Sequence, residues 1–259
     1  MKDKPLLTVS RLSKRFARGS APVTAVDDVS FHIDPSETLA LAGPSGSGKS
    51  TIARLLLRLI EADAGSIRFG GEDFLALKGQ ALRRRRKKLQ LVFQDPLAAF
   101  NPRATVARAI EDPLRIHAVV PRRDRADRVT TLLERVGLDP GLRGRAIHEG
   151  SGGQRQRVAI ARALATKPSL IVLDEALSAL DVSVRRRILD LLLDLQHEEK
   201  IAYLFISHDL AVVRAIAHRV LILDHGRIAE QGNARAVIDA PRSDIGRALV
   251  GAVPKLRHT

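Results

Sequence analysis

The sequence predicts an α/β fold, a mainly parallel sheet flanked by helices with a helical segment inserted into it. Three observations carry that expectation. A short apolar run at 38–42 meets a Gly/Ser-rich turn and then a leucine-dense stretch at 51–60, the order strand, glycine loop, helix. Strand and helix patterns alternate again from 169 to 224. Between them, from Asp95 to about Ala165, the chain is rich in Ala, Arg and Leu, reads as helical, and is punctuated by Pro96, Asn101-Pro102 and Pro113.

Taken in order, Leu6 to Val9 reads as a first strand, and Val29 to Ile33 alternates at period two and reads as another. Thr38 to Ala42 is continuously apolar and ends at Gly43, as a buried strand would. A helix is expected over Thr51 to Ile60, and strands over Ser66 to Phe69 and Leu89 to Phe93. After the helical stretch, Ser169 to Leu173 reads as a buried strand and Val184 to Gln196 as an amphipathic helix. Ile201 to Ile206 is a strand, Leu210 to Ala217 a helix and Val220 to Asp224 a last apolar strand. Gly226 marks a turn into Arg227 to Glu230, a closing hairpin. Asn233 can cap a final helix to Ile238, which Pro241 ends.

Composition narrows the class. The 259 residues are 45% hydrophobic and 28% charged, which suits one large globular domain with a full core. The absence of Cys excludes disulfides and cysteine-ligated metal sites and points to a reducing compartment. Met1 to Pro5 lack the apolar core of a signal peptide, and no run of about 18 apolar residues exists to span a bilayer. The net charge of +14 admits attraction to anionic lipid or nucleic acid. The run Arg83-Arg84-Arg85-Arg86-Lys87-Lys88 precedes an apolar strand in a chain only 3% aromatic, so a solvated helix end is expected there rather than a base-stacking surface.

Three segments carry chemistry. Gly43-Pro44-Ser45-Gly46-Ser47-Gly48-Lys49-Ser50-Thr51 fits G-x-x-x-x-G-K-[ST]. Its glycines let backbone N–H groups converge on phosphate oxygens, and the helix that follows adds its positive dipole end. Lys49 would hold the β- and γ-phosphates of a nucleotide, and the Ser50 hydroxyl would ligate Mg²⁺. Leu170 to Leu173 is an apolar strand that ends in Asp174-Glu175. A parallel strand presents that end to a ligand crevice, where Asp174 can hold Mg²⁺ through water and Glu175 can polarise an attacking water. Ser151-Gly152-Gly153-Gln154 opens another helix and forms either a second anion-binding terminus, facing a neighbour's nucleotide, or an ordinary capped helix start.

Together these segments resemble the nucleotide-binding subunits of ABC transporters over nearly the whole chain. The ordered set is the phosphate loop at 43–51, Phe93-Gln94-Asp95-Pro96, Ser151-Gly152-Gly153-Gln154, Asp174-Glu175, Ser178-Ala179-Leu180-Asp181 and Ile206-Ser207-His208-Asp209. The resemblance implies an ABC-type P-loop NTPase core with a mainly parallel sheet, an antiparallel β lobe and an inserted helical subdomain. It divides the chain into core (1–95 and 163–240), helical subdomain (96–162) and tail (241–259). It implies ATP and Mg²⁺ as ligands, with Phe16 stacking on adenine in place of the more usual Tyr. Gln94 would sense Mg²⁺ and water, Asp181 would lie in the loop that crosses a dimer seam, and His208 would contact the γ-phosphate and steady Glu175. The family works as a head-to-tail dimer in which Ser151–Gln154 of one subunit faces the nucleotide of the other. One position departs from the family's Leu-Ser-Gly-Gly-Gln: the first is Gly150, so that half-site is expected to be loosened.

Val92 to Pro96, Phe100-Asn101-Pro102-Arg103, Ala176 to Val184, Arg247 to Val250 and Ala252-Val253-Pro254 are similar to the dipeptide, oligopeptide and nickel importers. A short chain without Cys resembles the second of their two ATPase subunits. Expected partners are transmembrane permeases, a second ATPase subunit (a heterodimer, with a homodimer as the alternative) and a periplasmic or extracellular solute-binding protein. No direct contact with nucleic acid is expected. The place of work would be the cytoplasmic face of the inner membrane, held peripherally. A soluble ABC-type ATPase acting on nucleic acid or ribosomes, and an exporter ATPase, stay open as alternatives.

Overall fold

The structure is a computed structural model that describes residues 4–18, 21–101 and 103–252. Met1, Pro102, Val253 and Pro254, all named above, lie outside the described residues. In chain order the elements begin with β1 (Leu7–Arg18), β2 (Ala21–Ile33), β3 (Thr38–Ala42), α1 (Lys49–Leu56), β4 (Ala64–Phe69), β5 (Glu72–Asp73) and α2 (Gly79–Arg86). There follow β6 (Leu89–Val92), α3 (Val106–Ile116), α4 (Arg125–Arg135), α5 (Gly152–Leu164), β7 (Leu170–Asp174) and α6 (Val182–Glu199). The last are β8 (Ala202–Ile206), α7 (Leu210–Ile216), β9 (Arg219–Asp224), β10 (Arg227–Asn233), α8 (Ala234–Asp239) and α9 (Asp244–Gly251). They fall into two compact units, Met1–Lys78 with Ala202–Thr259, and Gly79–Ile201. The helical stretch expected at 96–162 lies wholly inside the second unit.

The first unit contains an antiparallel sheet in the order β2-β1-β4-β5. Its first two strands run 12 and 13 residues, far beyond the short segments whose alternation is visible in the sequence. The reason is local. Register shifts at Val9/Leu12, Leu12/Lys14 and Lys14/Arg15 break the period-two pattern, with Arg11 and Asp28 in left-handed conformation (φ 48° and 54°). Serine hydroxyls accept the N–H groups that these bulges displace: Arg11 N–H donates to Ser30 Oγ (2.8 Å) and Asp28 N–H to Ser13 Oγ (3.1 Å). Leu7, Val9, Leu12, Ile33 and Ile67 are buried, and the Phe69 and Phe74 rings meet edge to face at 6.1 Å.

The same unit holds β3, paired in parallel with β8 on one side and β9 on the other, while β10 returns antiparallel along β9. Every residue of β3 and β8 is buried, as expected of parallel strands covered on both faces. The β9–β10 turn is the two residues His225 and Gly226, both at positive φ (44° and 79°), which is the hairpin anticipated at Gly226. Asn233 Oδ1 accepts from Ala236 N–H and caps α8, also as anticipated. Helix α1 stops at Leu56, short of the expected Ile60. Arg58 turns left-handed (φ 51°) and sends its guanidinium to the carbonyls of Phe74 and Leu77, which ends the helix early.

In the second unit β6 and β7 pair in parallel, from Leu89↔Leu170 to Val92↔Leu173. The helices α3, α4 and α5 bury Ile110, Leu114, Val129, Leu132, Leu133, Val158 and Ile160. Arg135 at the end of α4 pairs with Glu198 and Glu199 at the end of α6. Among the described residues no helix is long and apolar enough to cross a membrane.

Candidate functional site

In the first unit the phosphate loop leaves β3 at Gly43, whose φ of 148° and whose surroundings admit no side chain. A Cβ there would lie 2.3 Å from the Leu223 carbonyl oxygen. Gly48 is held likewise: at φ 108° its Cβ would meet the Ala25 carbonyl oxygen at 2.3 Å. Gly46 differs, because it has positive φ but open space where a Cβ would stand, so backbone rather than neighbouring protein faces outward there. Lys49 is buried beneath the loop and donates to the carbonyls of Gly43 (2.9 Å) and Pro44 (2.8 Å) and towards Ser47 Oγ (3.4 Å). No side chain caps the N-terminus of α1 at Gly48. The combination of an uncapped helix start, an open glycine and a fixed ammonium fits a polyphosphate.

The hairpin turn of β9 and β10 braces this loop. Gly226 N–H donates to the Ser47 carbonyl (3.0 Å), and Asp27 N–H donates to the Gly226 carbonyl (2.8 Å). Phe16 pairs with Val23 on β2, two residues before the Ala25 carbonyl that touches Gly48. The ring is 39% exposed, with the Lys14 ammonium 5.6 Å from its centroid. Lys14 is pinned by Asp63 at 2.7 Å, and that hydrogen bond, helped by the Arg15 N–H, holds the Asp63 carboxyl below the ordinary carboxylate range. His208 is exposed just beyond β8. The rung Leu41↔Ile206 puts Gly43 and His208 each two residues past the same point, at the C-terminal ends of neighbouring parallel strands.

The second unit repeats that arrangement. The rung Val92↔Leu173 puts Gln94 and Glu175 each two residues past one point on β6 and β7. Gln94 Nε2 donates to Ser178 Oγ (3.3 Å), and Ser178 Oγ donates to the Glu175 carbonyl (2.9 Å). Asp174 and Glu175 are half-buried, and Glu175 adopts φ 48°, a left-handed conformation uncommon for a side chain of its size. Ser178 was not singled out from the sequence, although it opens the Ser178–Asp181 motif. No local sequence pattern marks Arg162 either. Its guanidinium donates to the Ala99 carbonyl (2.9 Å) and lies over the Phe100 ring (5.4 Å), so it anchors the segment after Gln94 from α5; burial lowers its pKa.

Ser151 and Gln154 form a reciprocal capping box at α5: Gln154 N–H donates to Ser151 Oγ (3.2 Å) and Ser151 N–H to Gln154 Oε1 (2.9 Å). The Ser151 oxygen accepts in that box, which leaves its proton free to donate to another group. Gly152 and Gly153 belong to the segment that the sequence offers as either an anion-binding terminus or an ordinary capped helix start. Gly153 has a structural reason as well, since a Cβ there would lie 2.7 Å from Val184 Cγ1 of α6. The starts of α5 and α6 therefore lie side by side. Asp181 caps α6, accepting from Val184 N–H and Ser183 Oγ (2.8 Å each), and these bonds hold its carboxyl below the usual range. Gly150 has an ordinary backbone (φ −71°, ψ 155°), and a Cβ on it would make only ordinary contacts of 3.4–3.6 Å. It borders a small apolar hollow lined in part by Val106, Leu138, Leu142, Ile147 and Val158.

Comparison with known proteins bears on the family and the fold. The family model described as ABC transporter matches residues 26–178. The glutathione import ATP-binding protein GsiA of Escherichia coli (strain K12) is 50% identical over 258 residues, 97% of this chain and 41% of that protein, and GsiA of Shigella sonnei matches to the same extent. The chain thus spans about two fifths of the length of these relatives. Among solved structures, cbiO1 from Clostridium perfringens, part of the ABC transporter complex cbiONQ, superposes with a TM-score of 0.80 at 28% identity, covering 92% of each chain. The ATP-binding cassette MJ0796, solved as a dimer bound to ADP and Pi, gives 0.79 at 27% identity, covering 88% of this chain and 99% of that one. With a matched family model across more than half its length and the motifs of both units in place, the chain belongs to the ABC transporter family.

Proposed function

We propose that the chain is the ATP-hydrolysing subunit of an importer and drives permease partners that carry peptides, or nickel and related small solutes, across the membrane. The observation that carries this reading is the 50% identity, over 97% of the chain, to proteins named for glutathione import. Glutathione is itself a tripeptide, which favours peptide cargo. The chain works peripherally on the cytoplasmic face of the inner membrane. Its partners are two permeases, a second ATPase subunit and a solute-binding protein.

The residues then divide the work. The backbone of Gly43–Thr51 and the Lys49 ammonium bind the phosphates of ATP, and Phe16 stacks on the adenine. Ser50, Asp174 and Gln94 offer oxygen ligands suited to Mg²⁺, which when bound neutralises phosphate charge. Glu175 accepts a proton from the attacking water, and His208 donates to the γ-phosphate. Ser151–Gln154 and Asp181 serve the nucleotide of the partner subunit.

The test is co-expression with candidate permease subunits of the peptide-importer type. Co-purification with them, and ATP-dependent peptide uptake lost in Glu175→Gln, are the expected results. Co-purification with ribosomes or nucleic acid, or outward transport of the solute, would overturn the reading.

A further inference from the structure

From Phe74 to Gln94 the chain has seven basic residues and no acidic one. Six of the seven are Arg83 to Lys88, and α2, which carries four of them, buries no residue. Lysine and arginine in a last helical turn offset the helix dipole, but one or two suffice for that. Arg83 reaches across and donates to the Ile116 carbonyl, which joins the basic helix to the end of α3. Ile116 itself is 45% exposed beside it. The carboxylates of α3 are already paired, Asp112 with Arg108 and Arg115 of the same helix and Glu111 with Arg125 at the start of α4. His117 senses the surplus, for its pKa is lowered by burial and then by Arg83 and Lys87.

We infer that the α2 surface, with exposed Arg83 and Arg84, the following Lys87, and the exposed Ile116 that Arg83 reaches, is a docking surface for anionic phospholipid headgroups. A row of cations beside an aliphatic side chain matches the charged plane and apolar boundary of a bilayer. A single-stranded nucleic acid would need aromatic platforms, and the large exposed apolar neighbour here is aliphatic. The inference rests on the reading that the chain works against a membrane, and it adds a contact independent of the permeases.

The experiment uses the purified full chain and vesicles of phosphatidylcholine with or without phosphatidylglycerol, so no permease is present. Each basic residue near an anionic surface contributes about fivefold to partitioning, so Arg83→Gln/Arg84→Gln/Lys87→Gln should weaken binding to the anionic vesicles on the order of 100-fold. Binding by the unaltered protein should fall steeply between about 0.1 M and about 1 M salt. A control, Arg122→Gln/Arg123→Gln/Arg235→Gln, removes the same charge from other exposed positions. Equal losses in both variants would mean a general charge effect and overturn the inference, as would no loss in the first. A larger loss towards a DNA duplex than towards vesicles would also overturn it. Failure to assemble with permeases would sink the importer reading while leaving the vesicle result intact.

Discussion

Gln94 Nε2 donates to Ser178 Oγ at 3.3 Å, and the same hydroxyl donates to the Glu175 carbonyl at 2.9 Å. One serine thus links the loop after β6 to the residue after β7 that is proposed as the base. Glu175 sits in a left-handed conformation, which needs such support to persist. Ser178→Ala should lower kcat about three- to tenfold with KM little changed, since one or two hydrogen bonds of about 1 kcal/mol each are lost. Ser178→Thr should recover much of the rate. Steady-state ATPase kinetics decide it, and an unchanged kcat in the alanine variant would refute the link.

Glu175→Gln keeps the side-chain shape and removes the proton acceptor. ATP binding should persist while turnover falls by about 10²- to 10⁴-fold. Size-exclusion chromatography with ATP should show a trapped dimer. Near-normal turnover would remove Glu175 as the base.

Lys49→Ala should weaken ATP affinity at least about tenfold, because a charge-assisted contact to phosphate is lost. The ammonium also ties the Gly43 and Pro44 carbonyls together, so the loop itself should loosen and Tm should drop. Fluorescent-nucleotide titration and thermal melting separate the two effects. Unchanged affinity would contradict the assignment.

For Gly150→Leu the backbone is ordinary and the first side-chain carbon makes only ordinary contacts, and the hollow beside it is apolar. The substitution should stabilise the start of α5 by about 1 kcal/mol, combining reduced backbone freedom with apolar burial. In the assembled transporter the same ordering should raise ATPase up to about fivefold. If Tm rises while ATPase and transport stay the same, Gly150 does not loosen the half-site.

Glu230 anchors the C-terminal helix α9. It accepts from the N–H groups of Arg242 and Ser243 (2.9 Å each) and from Ser243 Oγ (2.7 Å). Burial pushes its carboxyl up, but those bonds outweigh burial and hold its pKa below the usual value. A lowered folded-state pKa gives stability that is present above the unfolded value near 4.5 and lost as pH falls through the folded one. Amide exchange in residues 244–251 should therefore accelerate as pH drops below about 4.5, after correction for intrinsic rates, and Glu230→Gln should show the same acceleration at neutral pH. Exchange in Glu230→Gln matching the unaltered protein would refute the anchor.

The phosphate loop, Asp174-Glu175 and the capping serine were legible in the sequence because each depends on local chemistry. A glycine turn entering a helix, an apolar strand ending in carboxylates and Ser followed by Gln three residues later are patterns within a few consecutive residues. The buried strands β3, β7 and β8 were legible for a similar reason, since burial on both faces leaves an unbroken apolar run. The length of β1 and β2 was not, because bulges erase the alternation that marks a strand. Nor was the early end of α1, which Arg58 brings about by reaching carbonyls 16 and 19 residues away in sequence. The sequence by itself marked which residues are candidates to bind phosphate, metal and water. Only the tertiary structure decided that Ser178 joins Gln94 to Glu175, that Gly153 is small so that α5 can lie against Val184, and that Gly150 borders an apolar hollow. These are relationships between residues far apart in the chain, and sheet register and helix packing, not local pattern, bring them together.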